Sequence, residues 1–471
     1  MSDDASHDLS RRDLLKSVAA AGAGLGLAHL GLATPADAES LSRDDERAHS
    51  AAATMMGVRF EPRDVVRIAI VGTGLRGRST LGEFLGVGNV RITALCDIVA
   101  DKVELAKAMM KKAGHDYEPA MYTKGERDFE NLCARDDIDI VYTATPWRWH
   151  VPVCLATMKN GKHAATEVPA AVTIEDCWAL VDTSERTRRH CLMMENVCYG
   201  YNELLVLQMV KAGMFGELKH GGAAYNHDLR SILFETRDEG LWRRNAHLDR
   251  NGNLYPTHGL GPVAWYLGIH QGDRFDYMVS MSCPEFGLTK WRKDHVPRDD
   301  PRWKEKYVCG DLNSSLIKTV KGRTIRLEHN VSSPRPYSRV NSIEGTKGLF
   351  EDYPPRIYIE GTGVSHRWNT IDGYKPQFEH PWWKEQGERA RTGGHGGMDF
   401  IMAWRLVTCM REGLAPDFDV YDAAAWSVPG PLSERSVAKG SAPMKFPDFT
   451  RGKWRQALGE NAAPKKQAAT P

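Results

Sequence analysis

Residues 66–77 read VRIAIVGTGLRG. The first six residues form a short apolar run rich in β-branched side chains, which predicts a buried strand. The run leads directly into a GxGxxG pattern formed by Gly72, Gly74 and Gly77. In such a turn the first glycine permits the tight bend, the second lets a pyrophosphate approach the backbone, and the third lets the following helix pack on the strand. The stretch predicts the first unit of a dinucleotide-binding Rossmann domain.

The next apolar run, residues 90–96, supports this interpretation because it ends in an acidic residue. Asp97 lies 25 positions beyond Gly72. A carboxylate at the end of the second strand accepts hydrogen bonds from both ribose hydroxyls and repels a 2′-phosphate. The pattern therefore favours NAD over NADP as the cofactor. A glycine turn followed by an unrelated surface aspartate is the alternative.

Two later predicted strands also end in distinctive side chains. Residues 138–143 break into a turn followed by WRWH at residues 147–150, and residues 162–166 lead to EVP at residues 167–169. Ligands of an open parallel sheet lie beyond the carboxyl ends of its strands. We therefore expect residues 147–150 on the nicotinamide side of the cofactor. Simple packing at a strand end is the alternative for the two tryptophans and the histidine.

Size and charge narrow the classes of partner. A chain of 471 residues exceeds one compact core and predicts two domains with appendages. The 62 Lys and Arg residues balance 61 Asp and Glu residues, so no basic field exists for nucleic acid or an anionic membrane surface. Nine cysteines are scattered singly from Cys96 to Cys409, which indicates neither a disulfide framework nor a zinc ribbon. No His, Asp and Glu cluster has metal-ligand spacing, so we expect no catalytic metal.

The first residues have the order of an export signal. Residues 10–16 read SRRDLLK, an Ala, Gly and Leu run follows to Leu32, and residues 35–38 read PADA. The run is short for a membrane span, and the paired arginines predict a twin-arginine signal peptide over residues 1–38. The protein is then expected in the periplasm, with no membrane contact beyond the export machinery. A disordered or amphipathic arm with a chance arginine pair is the alternative.

The second half of the chain has a different pattern. Residues 315–319 and 324–331 predict a hairpin joined around Gly322, and Tyr337 follows it. The fold prediction is α/β, with an N-terminal Rossmann domain over residues 60–198 and a C-terminal α+β domain with a mainly antiparallel sheet over residues 199–457. Residues 458–471 lack periodicity and predict a disordered tail. A homodimer through the second sheet is expected.

The order of strand, GxGxxG, acidic residue and Glu-x-Pro resembles the Gfo/Idh/MocA group of sugar oxidoreductases. That group usually has lysine in the middle of Glu-Lys-Pro, whereas this chain has Val168. The usual catalytic lysine is therefore missing, which argues against ordinary alcohol dehydrogenation.

Longer segments resemble glycoside hydrolase family 109, the NAD-dependent α-N-acetylgalactosaminidase-like proteins. The resemblance covers nearly the whole chain after the predicted leader. It is carried by TPWRWH at residues 145–150, EVPAA at 167–171, MENVCY at 194–199, YNHDLR at 225–230, GNLYPTHG at 252–259, SPRPYSR at 333–339, GHGGMD at 394–399 and FPDFTRG at 446–452.

The resemblance implies two sets of site residues. The implied NAD contacts, besides the glycine turn, are Leu75, Arg76, Asp97, Trp147, Arg148, Trp149, His150, Glu167, Val168 and Asn196. The implied substrate contacts are Tyr225, Tyr255, Pro256, Thr257, His258 and Tyr337, with Arg243 either holding sugar hydroxyls or lying on the surface. His395 is expected either to cap a helix or to line the pocket, and Trp382 and Trp383 either to contact sugar or to pack.

The family mechanism implied by the resemblance uses NAD⁺ without consuming it. Hydride leaves sugar C3, the resulting ketone acidifies the hydrogen on C2, the C1 substituent is eliminated, water adds, and the hydride returns. Such a scheme needs proton-exchanging groups and phenols beside an enolate oxygen. His258 and Tyr337 are the first choices, Tyr225 and Tyr255 are alternates, and the base for C2 is not apportioned among them.

Two other functions remain open from the sequence. The chain could be a periplasmic sugar oxidoreductase with a tightly bound NAD(P), or a non-enzymatic sugar-binding sensor that keeps NAD as a structural part. Val168 argues against the first, and the segments around His258 and Tyr337 argue against the second. In all three cases the partner is a small sugar or glycoside.

Overall fold

The structure is a computed structural model that describes residues 53–455. The predicted signal peptide and the predicted tail lie outside the described residues. Within them, no helix is both long and apolar enough to cross a membrane.

The first sheet is built entirely from parallel strands in the order β3-β2-β1-β4-β5-β6. The strands are β1 Val66–Val71, β2 Val90–Cys96, β3 Ala120–Tyr122, β4 Ile140–Thr143, β5 His163–Thr166 and β6 Cys191–Met193. The helices that connect them are α1 Leu75–Val87, α2 Ala100–Lys112, α3 Phe129–Cys133, α4 Trp147–Lys159 and α5 Ile174–Thr187. This order is that of a doubly wound dinucleotide-binding fold.

Both faces of this sheet are covered, which explains the continuous apolar run of β1. Ile68 and Ile70 lie in one buried apolar cluster, whereas Ala69 and Val71 lie in another on the opposite face. A strand buried on both faces needs apolar residues at every position rather than at alternate ones. The carboxyl ends of β1, β2, β4 and β5 therefore meet at one edge, where a ligand can lie.

The second sheet has eight strands in the order β13-β12-β11-β7-β10-β9-β8-β14. Its strands are β7 Leu218–Asn226, β8 Phe275–Ser282, β9 Asn313–Thr319, β10 Thr324–Asn330, β11 Ser342–Gly345, β12 Gly348–Glu351, β13 Arg356–Ile359 and β14 Met444–Lys445. The pairing is antiparallel except between β7 and β10. The predicted hairpin is present as β9 and β10.

The remaining described α-helices follow the first sheet along the chain. They are α6 Tyr201–Lys211, α7 Arg230–Leu233, α8 Ala246–Asp249, α9 Thr257–Tyr266, α10 Gly287–His295, α11 Lys375–Phe378, α12 Pro381–Ala390, α13 Met398–Glu412, α14 Val420–Ser427 and α15 Pro429–Ala438. Helix α9 packs on β7. This packing brings the end of β7, which carries Tyr225, close to the turn before α9, which contains Tyr255.

The last third of the chain returns to the first sheet. Helix α13 packs against α1, and α14 packs against α5 and β6. One apolar cluster consequently runs from the first sheet into the second half of the chain. The prediction of an α/β protein with a Rossmann part and a mainly antiparallel second sheet is confirmed.

Candidate active site

The glycines in the turn between β1 and α1 serve two different purposes: two are required by packing within the protein, and one leaves open space. A Cβ on Gly72, whose φ is +88°, would lie 2.8 Å from the carbonyl of Ala144, and a Cβ on Gly77 would lie 1.8 Å from the oxygen of Gly72. Both glycines are needed by the packing of the protein itself. A Cβ on Gly74 would meet nothing within 4 Å. The open space before the N-terminus of α1 fits a dinucleotide pyrophosphate.

A cavity of about 360 Å³ extends from this turn between the two parts of the chain. Its walls include these predicted residues: Gly72, Gly74, Leu75, Arg76, Asp97, Trp147, Arg148, Trp149, His150, Glu167, Val168, Arg243 and Tyr255. The opposite wall comes from residues 238–243, including Leu241 and Trp242, which the sequence did not single out as site residues. The volume and mixed lining are typical of a small-molecule site.

Asp97 lies at the end of β2 in the wall of the cavity. One carboxylate oxygen accepts the backbone N–H of Thr73 at 2.8 Å, and the other accepts that of Val99 at 2.9 Å. These two bonds hold the carboxylate at the mouth of the glycine turn. This is the position from which an acidic side chain binds the ribose of NAD.

The Asp97→Asn variant is expected to bind NAD⁺ about tenfold more weakly and to discriminate less against NADP⁺. The amide keeps the shape but loses the charge that strengthens bonds from ribose hydroxyls and repels a phosphate. Calorimetric titration of the cofactor-free variant with each nucleotide measures both effects. Asp101→Asn, an exposed change of equal charge in α2, is the control. Unaltered discrimination in Asp97→Asn would contradict this role.

The WRWH segment at the start of α4 has divided roles. Trp147 stacks on Tyr255 with ring centroids 5.7 Å apart and meets the edge of Trp242 at 5.3 Å. His150 is buried, with Nδ1 2.8 Å from the oxygen of Pro169 and Nε2 2.9 Å from the oxygen of Thr145. Burial lowers the pKa of His150. Its ring ties together the turns that follow β4 and β5.

The other two members of the segment lie at the cavity edge and in the packing beside it. Arg148 forms an exposed ion pair with Glu126. Trp149 lines the cavity and also packs edge-on against Phe129 at 5.9 Å. Packing and cavity lining therefore coexist in this segment.

Arg76 is the centre of a buried charge network. Its Nε donates to Glu167 Oε1 at 2.8 Å and its Nη1 donates to Asp399 Oδ2 at 2.6 Å. The hydroxyl of Tyr142 donates to the same oxygen of Glu167 at 2.7 Å. The network fixes the carboxylate that follows β5 against the glycine turn.

Asn196 joins this network rather than the cavity wall. Its amide donates to Asp399 Oδ1 at 2.7 Å, and its own oxygen has no hydrogen-bond partner in the part of the chain that the structure describes. His395 lies in the turn before α13, bonded to Asp399 at 2.8 Å, with its side chain 61% exposed. It does not line the cavity. Asp399 itself was not a sequence candidate, although it follows a glycine-rich turn at a helix start.

Removing the Arg76 cation is expected to destabilise the protein by about 3–5 kcal/mol, because the buried carboxylates of Glu167 and Asp399 lose the guanidinium that pairs with both. Burial raises the pKa of Asp399, but its bonds to His395 and Arg76 outweigh this and hold that pKa well below its usual range. In the unaltered protein the stability that comes from the lowered pKa of Asp399 is therefore fully present above about pH 5 and is lost as the pH falls further.

In Arg76→Met the pKa of Asp399 is expected to rise, because burial raises it and the opposing charge of Arg76 is gone. The variant should then gain stability as the pH falls from about 7 to about 5, because protonation of this buried carboxyl favours the folded state. In the unaltered protein the contribution of the Asp399 carboxylate to stability is constant over this range. Urea unfolding at both pH values measures the difference, and Arg91→Met, an exposed arginine, is the control. If the variant were less stable at about pH 5 than at about pH 7, this prediction would be wrong.

The predicted aromatic residues of the substrate side form one cluster. Tyr225 lies near the end of β7, with its ring centroid 4.6 Å from Tyr255, 5.5 Å from His258 and 6.1 Å from Tyr337. The rings of Tyr255 and His258 are 5.0 Å apart. Tyr255 also lines the cavity. The cluster therefore adjoins the end of the cofactor cavity.

The turn between Tyr255 and His258 brings both rings to the same place. Pro256 precedes the first residue of α9, Thr257, and both are buried. Neither lines the cavity wall. Their predicted contact with the substrate stays a prediction.

Arg243 is buried beside this cluster, so the surface alternative is wrong. It donates to Glu239 at 2.6 Å, and its guanidinium lies 4.6 Å from the ring centroid of Tyr255 and 5.4 Å from that of Trp147. Burial would lower the pKa of Arg243, but Glu239 and the phenols of Tyr225 and Tyr255 raise it. A permanent cation therefore lies next to two phenols.

The phenols of the cluster are kept neutral. Burial raises the pKa of Tyr225 and of Tyr255, against the opposing charge of Arg243. Burial also raises the pKa of Tyr337 to about 12, against the charge of Arg339. Neutral phenols are hydrogen-bond donors, which suits them to a developing negative oxygen.

Two polar partners of the cluster were missed as individual candidates. Glu195 Oε1 lies 2.7 Å from Nδ1 of His258, and Nδ1 of His227 lies 3.1 Å from the hydroxyl of Tyr225. Both residues stand in segments that carry the resemblance. Glu195 follows the last strand of the first sheet by two positions, and only the tertiary fold brings it to His258.

The two tryptophans of α12 pack away from the cavity. The indole N–H of Trp383 donates to the oxygen of Tyr199 at 2.9 Å, and Trp382 stacks on the ring of Tyr199 and on Arg405. Packing is therefore their role. Residues 53–455 contain no group of His, Cys, Asp and Glu that could hold a metal ion.

Comparisons with known proteins agree with both parts of the site. Residues 66–195 match the oxidoreductase family with an NAD-binding Rossmann fold, and residues 199–456 match the C-terminal domain of glycosyl hydrolase 109. A glycosyl hydrolase family 109 protein of Solibacter usitatus is 58% identical, covering 94% of this chain and 98% of the relative. The alpha-N-acetylgalactosaminidase of Shewanella oneidensis is 46% identical, covering 96% of this chain and 98% of the relative.

Solved structures share the fold at low sequence identity. A levoglucosan dehydrogenase in complex with NADH and levoglucosan is 16% identical with a TM-score of 0.63, covering 81% of this chain and 99% of that one. An inositol dehydrogenase homolog of Azotobacter vinelandii complexed with NAD⁺ is 17% identical with a TM-score of 0.61, covering 82% and 99%. The N-terminal part is thus an NAD-binding Rossmann domain, and the chain belongs to glycosyl hydrolase family 109.

Proposed function

We propose that the protein is an NAD-dependent glycosidase that acts on α-N-acetylgalactosaminides and regenerates its cofactor in each turnover. The observation that carries the proposal is the contact between the two sites. Tyr255 and Arg243 line the cofactor cavity and also belong to the aromatic cluster with His258 and Tyr225. The named activity of the Shewanella oneidensis relative supports the choice of sugar.

The cofactor, when bound, supplies reversible hydride acceptance from sugar C3, which makes the hydrogen on C2 acidic. The residues of the chain then have three tasks. A group of the cluster removes the C2 proton, neutral phenols donate to the C3 oxygen while it carries negative charge, and Arg243 stabilises that charge from beside Tyr255. The C1–O bond breaks with its electron pair leaving on the aglycone oxygen, water adds at C1, and a proton returns to C2.

Val168 supports this chemistry over simple sugar dehydrogenation. It lies in the cavity wall where the related oxidoreductases are expected to have lysine, and it is buried and apolar. A valine can neither accept nor donate the proton of a sugar hydroxyl. Proton transfer is therefore left to the aromatic cluster and its partners.

We also propose export of the folded, cofactor-loaded protein through the twin-arginine route. The paired arginines at residues 11 and 12 support it. A cofactor that returns its hydride in each turnover needs no second substrate and no exchange. Such an enzyme is suited to a compartment that does not supply nucleotide.

The test is turnover of p-nitrophenyl N-acetyl-α-galactosaminide by the holoenzyme in D₂O. Release of p-nitrophenol with deuterium at C2 of the sugar supports the proposal, because the C2 hydrogen is exchanged through a base. Release with hydrogen retained at C2 would overturn the mechanism. Net oxidation of a free sugar would indicate an oxidoreductase, and intact substrate beside bound NAD would indicate a sensor, so either result overturns the proposal. The β-anomer of the substrate is the control for anomeric preference.

A further inference from the structure

Glu195 is a buried carboxylate that follows β6, at the edge of the first sheet where the cavity lies. Its side chain is fully buried. Oε1 lies 2.7 Å from Nδ1 of His258 and accepts the backbone N–H of Val197 at 3.2 Å. Oε2 has no hydrogen-bond partner among residues 53–455. A carboxylate buried in this way is costly unless it serves a charged or polar partner.

We propose that Glu195 is a positioning residue that holds His258 with its Nδ1 hydrogen toward the carboxylate and with Nε2 free to exchange the C2 proton of the substrate. The proposal rests on the proposed function. An ionised carboxylate only accepts hydrogen bonds, so the hydrogen of the neutral imidazole must be on Nδ1. Nε2 then carries the lone pair, and it makes no hydrogen bond within the described part of the chain.

The side chain of His258 is oriented for this role. Its side chain is 15% exposed, and the ring packs against Tyr225 on β7 and against Tyr255 in the turn before α9. Glu195 Oε1 meets the ring at Nδ1. After Nε2 takes up a proton, the buried carboxylate stabilises the resulting imidazolium, as the acidic member of a catalytic triad does.

A glycine on α9 gives independent evidence that the helix is shaped around Glu195. A Cβ on Gly261 would lie 3.0 Å from Cγ of Glu195 and 2.9 Å from the sulfur of Cys198. Gly261 follows His258 by three positions, so both lie on the same face of α9. The absence of a side chain at 261 lets the helix approach close enough for His258 to reach the carboxylate.

The charged and titratable groups near Glu195 and His258 lie on two other segments of the chain, one after β10 and one after β7. Arg339, after β10, is a cation that acts on Glu195 and binds Glu203 at 3.2 Å. His227 is the nearby titratable group on the other side of Tyr225. These groups remain in place in each variant below, so they act as a constant background.

The first test compares Glu195→Leu with the unaltered holoenzyme in the D₂O assay. Loss of the acceptor and the charge is expected to slow deuterium incorporation at C2 by about a hundredfold or more, with NAD⁺ affinity unchanged within about twofold. Glu195→Gln keeps an acceptor oxygen for Nδ1 and should restore part of the rate. In a His258→Ala background, Glu195→Leu should cause no further loss, whereas a purely structural role would give additive losses.

The second test reads the tautomer without turnover. Nitrogen-15 NMR of the holoenzyme, with the His258 signals identified by their loss in His258→Ala, is expected to show an unprotonated Nε2. In Glu195→Leu a mixture of tautomers is expected. A protonated Nε2 in the neutral imidazole of the unaltered protein would overturn the proposal.

Gly261→Ala serves if Glu195→Leu does not fold. The added methyl group should displace the carboxylate and slow C2 exchange at least tenfold, whereas Gly387→Ala, in the interior of α12, should not. Exchange at the normal rate in both Glu195→Leu and Gly261→Ala would overturn this proposal alone. An absence of C2 exchange in the unaltered enzyme would instead overturn the proposed function, and the NMR result would still decide the tautomer.

Discussion

The Gly77→Ala variant is expected to lose about 3 kcal/mol or more of its free energy of unfolding, with or without NAD⁺. A Cβ at this position would lie 1.8 Å from the backbone oxygen of Gly72, and backbone atoms in a packed turn cannot move aside at low cost. Urea unfolding of the cofactor-free protein, followed by circular dichroism, measures the loss. The variant is also expected to bind NAD⁺ poorly, since α1 no longer packs on β1.

Gly74→Ala is the matched control from the same turn. Its Cβ would meet no atom within 4 Å, so the stability of the cofactor-free protein should change by less than about 0.5 kcal/mol. NAD⁺ affinity should nevertheless fall at least tenfold, because the methyl group occupies the space assigned to the pyrophosphate. Equal NAD⁺ affinity in Gly74→Ala and the unaltered protein would place the pyrophosphate elsewhere.

The His258→Ala variant is expected to lose between about a hundredfold and ten-thousandfold in turnover of the glycoside, as for removal of a positioned acid or base. Incorporation of deuterium at C2 should fall by the same factor, because both depend on removal of one proton. NAD⁺ affinity should be unchanged, since His258 lies in the aromatic cluster and not in the wall of the cofactor cavity. Parallel kinetics and isotope analysis by mass spectrometry measure both rates.

The exposed histidine of α10 provides the control for this variant. His295→Ala removes an imidazole that stacks on Trp291 outside the site and should leave turnover unaltered. If His258→Ala kept its C2 exchange while Tyr337→Phe lost it, the base would be Tyr337. Burial raises the pKa of Tyr337, which disfavours the phenolate that a base requires. We therefore expect His258→Ala, rather than Tyr337→Phe, to abolish C2 exchange.

The features that could be predicted from the sequence are those that depend only on residues close together in the chain. The GxGxxG turn, the acidic end of β2 and the hairpin of β9 and β10 each depend on a few neighbouring residues, and each is present. The aromatic cluster was also predicted, although through the resemblance rather than through any spacing rule. Its members come from β7, the turn before α9, the first turn of α9 and the segment after β10, which only the tertiary fold brings together.

The two missed acids depend on pairing across long separations. Asp399 meets Arg76 across 323 positions, and Glu195 meets His258 across 63. Neither acid has a distinctive local pattern, and only the packing of α13 on α1 and of α9 on the turn of residues 196–199 makes them partners. Burial likewise decided the role of Arg243, which the local sequence left open between surface and site.

The most direct test of the account removes the nicotinamide from the purified protein and then restores it. The substrate is p-nitrophenyl N-acetyl-α-galactosaminide carrying deuterium at C3. The account predicts that the stripped protein releases no p-nitrophenol, that NAD⁺ alone restores activity, and that the sugar product keeps its deuterium at C3. Undiminished cleavage by protein free of nicotinamide and indifferent to its addition would contradict the account.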